Sequence, residues 1–276
     1  MEPSNSTIEL IDTHCHIHEI VQKLTPVYDK WREDGVERDP DEVIQRAHDA
    51  GVSRMICIGT SVEDSQLAVD FVADRENIWA SIGIHPHEAE RYIGQNALLD
   101  AFTGLVGRPG VVAVGECGLD YFYSHSTRDA QIEMLKFQIE LALQHDLPLS
   151  FHVREAFDDF WPIFEQYSGI RGVLHSFTDS EANLERALSH GLYIGMNGIA
   201  TFAKSPAQQA MYRAIPLERL LLETDAPFLT PAPYRGTICE PYHTAAVAEF
   251  GAKSRDISLE DFAAQTTANA RTLFGI

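Results

Sequence analysis

The strongest constraint on the fold is a short apolar segment, rich in β-branched residues, that recurs eight times along 276 residues. Amphipathic stretches separate these segments, which have the length of strands. The predicted strands are 8–11, 54–58, 78–84, 111–115, 147–151, 172–174, 192–196 and 220–222. Strands that alternate with helices form a parallel sheet, and about 250 residues is the usual size of a closed (β/α)8 barrel. We therefore predict an α/β fold in which residues 1–276 form a single TIM barrel domain.

Helix signals occur at the expected places between the strands. Asp39 is a typical N-cap, Pro40 suits the first helical position, and Gly51 suits the end of that helix. The clearest helix is predicted over residues 127–145. One long connection, residues 17–38, is a candidate lid over the barrel mouth.

An open doubly wound sheet is the main structural alternative. Its nucleotide-binding form carries a glycine-rich turn after the first strand. The first strand here is instead followed by Asp12-Thr13-His14-Cys15-His16. This difference favours the barrel.

Composition narrows the range of functions. With 21 basic and 41 acidic residues the formal net charge is −20, which argues against a protein that coats DNA through its phosphates. A pocket enzyme that binds one or two phosphates remains compatible, since bound metal ions can dominate the local charge. The apolar runs are too short to cross a membrane, no secretion signal is evident, and the four cysteines form no CxxC pair. We expect a cytoplasmic protein with reduced thiols and no membrane partner.

Potential metal ligands follow several predicted strands. His14 and His16 stand two residues apart, so in extended chain both imidazoles point the same way. Glu116, His152, His175 and Asp225 follow the fourth, fifth, sixth and eighth predicted strands. A His-x-His pair alone is weak evidence, but carboxylates at the ends of apolar strands are costly to bury without a partner. The set predicts a metal centre at the carboxyl end of the barrel, where such enzymes assemble their active sites.

The remaining histidines are interpreted individually. His48, His145 and His190 fall near predicted helix C-termini, where an imidazole interacts favourably with the helix dipole. His85 and His87 end the third predicted strand, and we interpret them as substrate contacts or as groups that support the ligands.

Six segments hold most of the candidate site residues. They are Asp12-Thr13-His14-Cys15-His16, Gly83-Ile84-His85-Pro86-His87, Gly115-Glu116-Cys117-Gly118-Leu119-Asp120-Tyr121, Phe151-His152-Val153-Arg154, Leu174-His175-Ser176-Phe177 and Glu223-Thr224-Asp225-Ala226-Pro227. Together these segments resemble the successive signatures of the TatD family, metal-dependent deoxyribonucleases of the barrel-fold amidohydrolase superfamily. They span nearly the whole chain in the family's order.

The resemblance implies a ligand set for two divalent ions. One ion would be held by His14, His16, Glu116 and Asp225, the other by Glu116, His152 and His175, so that Glu116 bridges them. His85 would face the substrate beside them. The resemblance favours Mg²⁺ or Mn²⁺, whereas four imidazoles also suit Zn²⁺. The chain departs from the family pattern at Thr237, where a basic residue is usual, and at Cys239, where Asn is usual.

The hypothesis is phosphodiester hydrolysis by a water that two ions activate, with Asp225 as the group that takes the proton. His85, His87, Arg154 and Arg235 are the candidate substrate contacts. Phe122, Tyr123 and Trp31 could stack on a base or, equally, pack in the core. So few basic contacts favour an exonuclease on single-stranded DNA ends. One alternative is an amidase, lactonase or deacylase with the same ions; another is a metal-binding scaffold without turnover. No protein partner is indicated.

Overall fold

The computed structural model describes residues 8–123 and 125–276, and its strands form one parallel sheet in sequence order. The strands are β1 (Leu10–Cys15), β2 (Val52–Ile58), β3 (Ile78–Ile82), β4 (Val111–Asp120), β5 (Leu149–Arg154), β6 (Gly172–Leu174), β7 (Tyr193–Met196) and β8 (Leu220–Leu222). Each strand pairs in parallel with the next along the chain. This order confirms the predicted eight-stranded α/β architecture.

The sheet closes between its last strand and its first. Cys15 forms a parallel bridge with Ala226, just beyond β8. The Thr13 hydroxyl donates to the carbonyl of Leu222 at 2.9 Å, and the backbone N–H of Asp225 donates to the carbonyl of His14 at 2.8 Å. The molecule is therefore a TIM barrel, and the open doubly wound alternative is wrong.

Eleven α-helices lie in the described part of the chain. They are α1 (Pro26–Trp31), α2 (Pro40–Asp49), α3 (Val62–Val72), α4 (Asn96–Thr103), α5 (Arg128–Gln144), α6 (Phe157–Phe164), α7 (Glu181–Ser189), α8 (Ile199–Phe202), α9 (Pro206–Ala214), α10 (Thr244–Arg255) and α11 (Leu259–Phe274). The Asp39 carboxylate caps α2 by accepting from the N–H groups of Asp41 and Glu42, as predicted. None of these helices is long and apolar enough to span a membrane.

Two apolar clusters hold the barrel together. The larger lies between the strands and the surrounding helices and includes Met55, Phe151 and Leu222. The smaller joins Ile56, Leu221 and other strand residues to the end of α11 through Leu273 and Phe274. Burial of this apolar surface is the main source of stability, and it leaves the carboxyl ends of the strands for polar side chains.

Three strands run further than predicted, and all three carry site residues. β1 extends through Asp12, Thr13 and His14 to Cys15, whereas the sequence placed its end at residue 11. β4 and β5 continue to Asp120 and Arg154, five and three residues beyond the predicted ends. The predictions stopped at the first polar residues. Two of them, Asp12 and Glu116, are buried because neighbouring residues satisfy their polar groups, as Thr224 just beyond β8 does for Asp12.

Candidate metal centre

A cavity of about 890 Å³ opens at the carboxyl ends of the strands. His16, Glu116, His152, His175 and Asp225 all line it, and His14 lies buried directly behind them. The structure thus brings together all six residues that the sequence suggested as ligands. We call this group of six the ligand cluster.

Glu116 lies between two sets of imidazoles. Its Oε2 atom is 3.5 Å from Nε2 of His14. Its Oε1 atom is 2.8 Å from Nδ1 of His152 and 3.5 Å from Nε2 of His175. The two oxygens of one carboxylate therefore face different histidines, which is the arrangement that a bridging ligand requires.

Asp225 completes the side of the cluster nearest to β1. Its Oδ1 atom lies 3.6 Å from Nε2 of His14 and 3.4 Å from Nε2 of His16. Asp225 has a positive φ of 61°, in the loop that the chain enters after β8. Its backbone N–H bonds to the carbonyl of His14, so the closure of the barrel places this carboxylate over the two imidazoles.

His16 is oriented from two directions. Its Nδ1 atom lies 2.8 Å from the carbonyl oxygen of Ile58, which accepts the Nδ1 proton, so that Nε2 is the atom that faces Asp225. The indole Nε1–H of Trp31 donates to the His16 carbonyl at 3.0 Å. Trp31 is only 1% exposed, so the hypothesis that it stacks on a base is wrong; it supports His16 from below the cavity surface.

His152 and His175 each have a second carboxylate on the side of the ring away from Glu116. Nε2 of His152 lies 3.1 Å from Oδ2 of Asp120, and Nδ1 of His175 lies 3.1 Å from Oε1 of Glu223. Carboxylates in this position fix the ring orientation of metal-ligating histidines and raise their basicity.

Three carboxylates that sequence reasoning left without a role therefore belong to the site. Asp120 and Glu223 support His152 and His175, and Asp12 joins β1 to the segment after β8 by accepting from the Thr224 N–H at 2.9 Å and the Thr224 hydroxyl at 2.6 Å. All three are at most 1% exposed. Their signal in the sequence was a charged residue at the end of an apolar strand, the same signal that identified Glu116 and Asp225.

Close backbone packing fixes the position of His152. Gly118 on β4 has a φ of 153°, and a Cβ atom there would lie 1.8 Å from the carbonyl oxygen of His152 on β5. Only glycine allows this approach. Glycine at position 118 therefore lets β5 lie close enough to β4 to hold His152 in its place in the ligand cluster.

The charges within the cluster offset one another. Burial alone would raise the pKa of Glu116, but the charge of His175 and the hydrogen bond from His152 outweigh it and hold that pKa well below its ordinary value. Burial, reinforced by the neighbouring His175, lowers the pKa of His14. The centre therefore combines an ionised carboxylate with a neutral imidazole, both in the form that binds metals.

These residues fit divalent cations. Both ring nitrogens of His14 are buried with no hydrogen-bond partner among the described residues, although Nε2 points at two carboxylates. Ligand atoms of His14, His16 and Glu116 all lie within 4.8 Å of one another, as do those of His85, Glu116 and His152. A buried polar atom without a partner is costly, and a cation between these groups would satisfy it.

The predicted substrate contacts lie in different surroundings. His85, His87 and Arg154 line the cavity, and Nε2 of His85 is 3.7 Å from Oε1 of Glu116. Arg235 is not among the lining residues; it donates to the Thr230 carbonyl at 2.9 Å.

The three histidines predicted near helix C-termini lie there in the structure. His145 and His190 are the C-cap residues of α5 and α7, and His48 lies in the last turn of α2.

The connection 17–38 lies partly over the cavity, where Thr25, Pro26 and Val27 contribute to the lining. Further along the chain, Thr237 and Cys239, the two positions that depart from the family pattern, occupy the loop after β8. Thr237 is exposed and Cys239 is buried, and neither lines the cavity.

The barrel and its cluster of imidazoles and carboxylates define a metal-dependent hydrolase. Residues 11–275 match the family model described as TatD related DNase. The chain therefore belongs to the TatD family.

Individual relatives agree with this assignment. The chain is 34% identical to the "uncharacterized metal-dependent hydrolase YabD" of Bacillus subtilis, an alignment that covers 97% of this chain and 99% of YabD. It is 36% identical to the "3'-5' ssDNA/RNA exonuclease TatD" of Erwinia amylovora, over 87% of this chain and 95% of that protein. The crystal structure of YjjV, a TatD homologue from Escherichia coli, superposes with a TM-score of 0.85 at 27% identity and covers 98% of this chain and 99% of YjjV.

Proposed function

We propose that this protein is an exonuclease that removes nucleotides from the 3′ ends of single-stranded DNA and uses two divalent cations. The observation that carries the proposal is the position of Glu116, whose Oε2 atom faces His14 while its Oε1 atom faces His152 and His175. The name of the Erwinia relative supports both the substrate and the direction of digestion.

The ligand cluster divides naturally between two cations. One would be held by His14, His16, Asp225 and Glu116, and the other by Glu116, His152 and His175. Divalent cations there supply activation of a water and stabilisation of the phosphodiester oxygens. Mg²⁺ or Mn²⁺ is the proposed native ion, with Zn²⁺ as the alternative that four imidazoles would favour.

Asp225 accepts the proton of the attacking water. Burial would raise the pKa of Asp225, but its hydrogen bond to His16 and the charge of His175 outweigh burial and lower that pKa. The carboxylate is therefore ionised at neutral pH and able to take a proton.

His85 positions the phosphate. Burial holds the pKa of His85 well below its ordinary value, so the ring is neutral at physiological pH. Its Nδ1 atom accepts the backbone N–H of His87 at 3.1 Å, which places the ring proton on Nε2, the atom that faces Glu116 and the cavity. A neutral N–H donor binds a phosphate oxygen without adding a charge that would repel the cations.

The location of the site reconciles a phosphate substrate with an acidic protein. Two dications would offset the carboxylates of Glu116, Asp225, Asp120 and Glu223, so that the cavity floor would not share the strong negative charge of the rest of the chain. A pocket closed at its floor also suits a strand end better than a continuous duplex, and a cavity of about 890 Å³ is large enough to admit a terminal nucleotide.

The deciding experiment offers the chelator-treated protein single-stranded DNA labelled at its 5′ or its 3′ end, with Mg²⁺, Mn²⁺ or Zn²⁺ added separately. We expect the 3′-labelled strand to release labelled mononucleotide first and the 5′-labelled strand to shorten stepwise. Intact DNA with all three metals, together with turnover of an amide, ester or lactone, would replace the phosphodiester assignment with the carbonyl alternative.

A pair of variants tests the central carboxylate. Glu116→Gln should abolish hydrolysis while circular dichroism remains that of a folded barrel. Glu133→Gln alters an exposed carboxylate on α5 and should behave as wild type. Full activity of Glu116→Gln would contradict its proposed bridging role.

A further inference from the structure

Two aromatic side chains are exposed where β4 ends, beside the cavity. Phe122 and Tyr123 are 49% and 43% exposed, although large apolar side chains are usually buried. Their rings lie 4.7 Å apart in an edge-to-face arrangement, and Tyr123 lines the cavity. The pair is not needed for the core, so its exposure requires another explanation.

Arg154 lies over the same pair. Its guanidinium carbon is 3.9 Å from the centre of the Phe122 ring and 5.0 Å from that of Tyr123. No carboxylate of the described residues forms a salt bridge with Arg154, whereas Arg91, which also lines the cavity, pairs with Glu63 and Glu88. The Arg154 guanidinium is therefore available to a ligand in the cavity, although Arg128, Arg213 and Arg235 are also exposed without a salt bridge among the described residues. We call Phe122, Tyr123 and Arg154 the aromatic rim.

The aromatic rim is attached to the ligand cluster through a single carboxylate. Oδ1 of Asp120 accepts the backbone N–H groups of Phe122 at 3.0 Å and Tyr123 at 3.1 Å. Oδ2 of the same group lies 3.1 Å from Nε2 of His152. The rim is therefore held at a fixed place relative to a metal ligand, as a substrate subsite would have to be.

We propose that the aromatic rim is a nucleobase-binding subsite. A base of the single-stranded substrate stacks on Phe122 and Tyr123, and Arg154 contacts a phosphate of the same strand. Aromatic faces bind every base, so the subsite holds a strand without reading its sequence. Arginine suits the phosphate because its planar guanidinium can donate two parallel hydrogen bonds. The inference rests on the proposed exonuclease function and adds how the enzyme holds the strand next to the scissile bond.

The test compares strands that differ by one base. The holoenzyme is offered single-stranded DNA with either a normal or an abasic residue next to the 3′-terminal nucleotide, and kcat and KM are measured for each. Stacking on an aromatic side chain predicts that the wild type favours the normal strand by roughly 5- to 150-fold in kcat/KM. Phe122→Ala/Tyr123→Ala should lose most of this preference, mainly through KM, while Phe122→Tyr/Tyr123→Phe should keep it.

A spectroscopic measurement separates stacking from a general loss of activity. A strand with 2-aminopurine at the same position is mixed rapidly with holoenzyme, and the fluorescence is recorded before hydrolysis. Stacking should quench it with wild type and not with the double alanine variant. Tyr234→Ala is the control, because Tyr234 is 45% exposed but does not line the cavity.

Arg154→Ala tests the phosphate contact. It should lower affinity about equally for normal and abasic strands and reduce the salt dependence of KM by the equivalent of about one phosphate contact. Arg128→Ala is the control. The Arg128 guanidinium also lies over an aromatic ring, 4.2 Å from the centre of the Tyr121 ring, but Arg128 does not line the cavity. This variant should change neither the affinity nor the salt dependence of KM.

The outcomes separate the two proposals. If wild type degrades single-stranded DNA but has the same normal-to-abasic ratio as the double alanine variant, the base subsite is wrong and the exonuclease proposal stands. A wild-type enzyme that cleaves no strand at all overturns both. If the double alanine variant has the same kcat and KM as wild type, the aromatic rim does not bind substrate, and the inference is also wrong.

Discussion

Asp120 and His152 form a carboxylate–imidazole pair, with Oδ2 of Asp120 3.1 Å from Nε2 of His152. The other ring nitrogen of His152 faces Glu116 at 2.8 Å. One histidine is thus held between a supporting carboxylate and the centre of the ligand cluster. Oδ2 of Asp120 also lies 2.9 Å from Nε2 of His87, so a single side chain orders two histidines of the cavity.

The first prediction concerns this supporting carboxylate. Asp120→Asn should weaken metal binding by about 10- to 100-fold, because carboxylates behind metal-ligating histidines have effects of this size. Metal titration of the chelator-treated protein, followed by calorimetry, measures the change. Asp100→Asn, at an exposed position on α4, is the control. Equal metal affinities in the two variants would show that Asp120 stabilises the local structure without strengthening metal binding.

The second prediction compares two buried tryptophans. Trp31→Phe removes the hydrogen bond to the His16 carbonyl, and Trp161→Phe removes an equivalent bond to Oδ1 of Asn183 at 2.8 Å, between α6 and α7. Each should lower the free energy of unfolding by about 1–3 kcal/mol, measured by urea denaturation. Only Trp31→Phe should also reduce kcat/KM, by about tenfold, because it alone supports a ligand. An equal loss of activity in both variants would refute the proposed role of Trp31.

The positions of the ligands could be predicted because they depend on strand order. Once His14, Glu116 and Asp225 are assigned to the carboxyl ends of the first, fourth and eighth strands, a closed parallel barrel must bring them to the same face. The supporting contacts were not predictable in this way. Whether Asp120 turns towards His152 or towards solvent depends on how far β4 extends, and the sequence placed its end five residues too early. The sequence left the role of Trp31 open for a similar reason, since an indole suits both a stacking surface and a core, and the structure places it in the core.

The third prediction concerns metal removal. The ring nitrogens of His14, which have no hydrogen-bond partner in the described part of the chain, should make the metal-free protein less stable than the metal-bound protein. At a free metal concentration of 100 times Kd, binding adds about 2.7 kcal/mol to the free energy of unfolding and should raise Tm by roughly 5 °C. Differential scanning calorimetry with and without metal measures the shift. Glu116→Gln should show a smaller shift, and Glu133→Gln the full one; an identical shift in both would mean that the metal binds elsewhere.

The fourth prediction is a pH dependence that originates outside the ligand cluster. His243 is 1% exposed; its Nδ1 atom accepts the backbone N–H of Glu240 at 3.0 Å, and its Nε2 atom has no hydrogen-bond partner among the described residues. Burial lowers the pKa of His243 from 6.5 to about 4. The folded state therefore resists protonation of this ring, whereas the unfolded chain accepts it readily.

The direction and the size of the pH effect on stability follow from this difference between the folded and the unfolded chain. The contribution of His243 to stability is fully present above pH 6.5 and is lost as the pH falls through about 4, and it amounts to at most about 3 kcal/mol. Urea unfolding of metal-free protein between pH 4 and 8 should give wild type a steeper loss of stability below pH 6.5 than His243→Asn, in which the amide oxygen can still accept from Glu240. His48→Asn, at an exposed position on α2, should follow wild type. Parallel curves for wild type and His243→Asn would show that the buried ring is not a source of acid sensitivity.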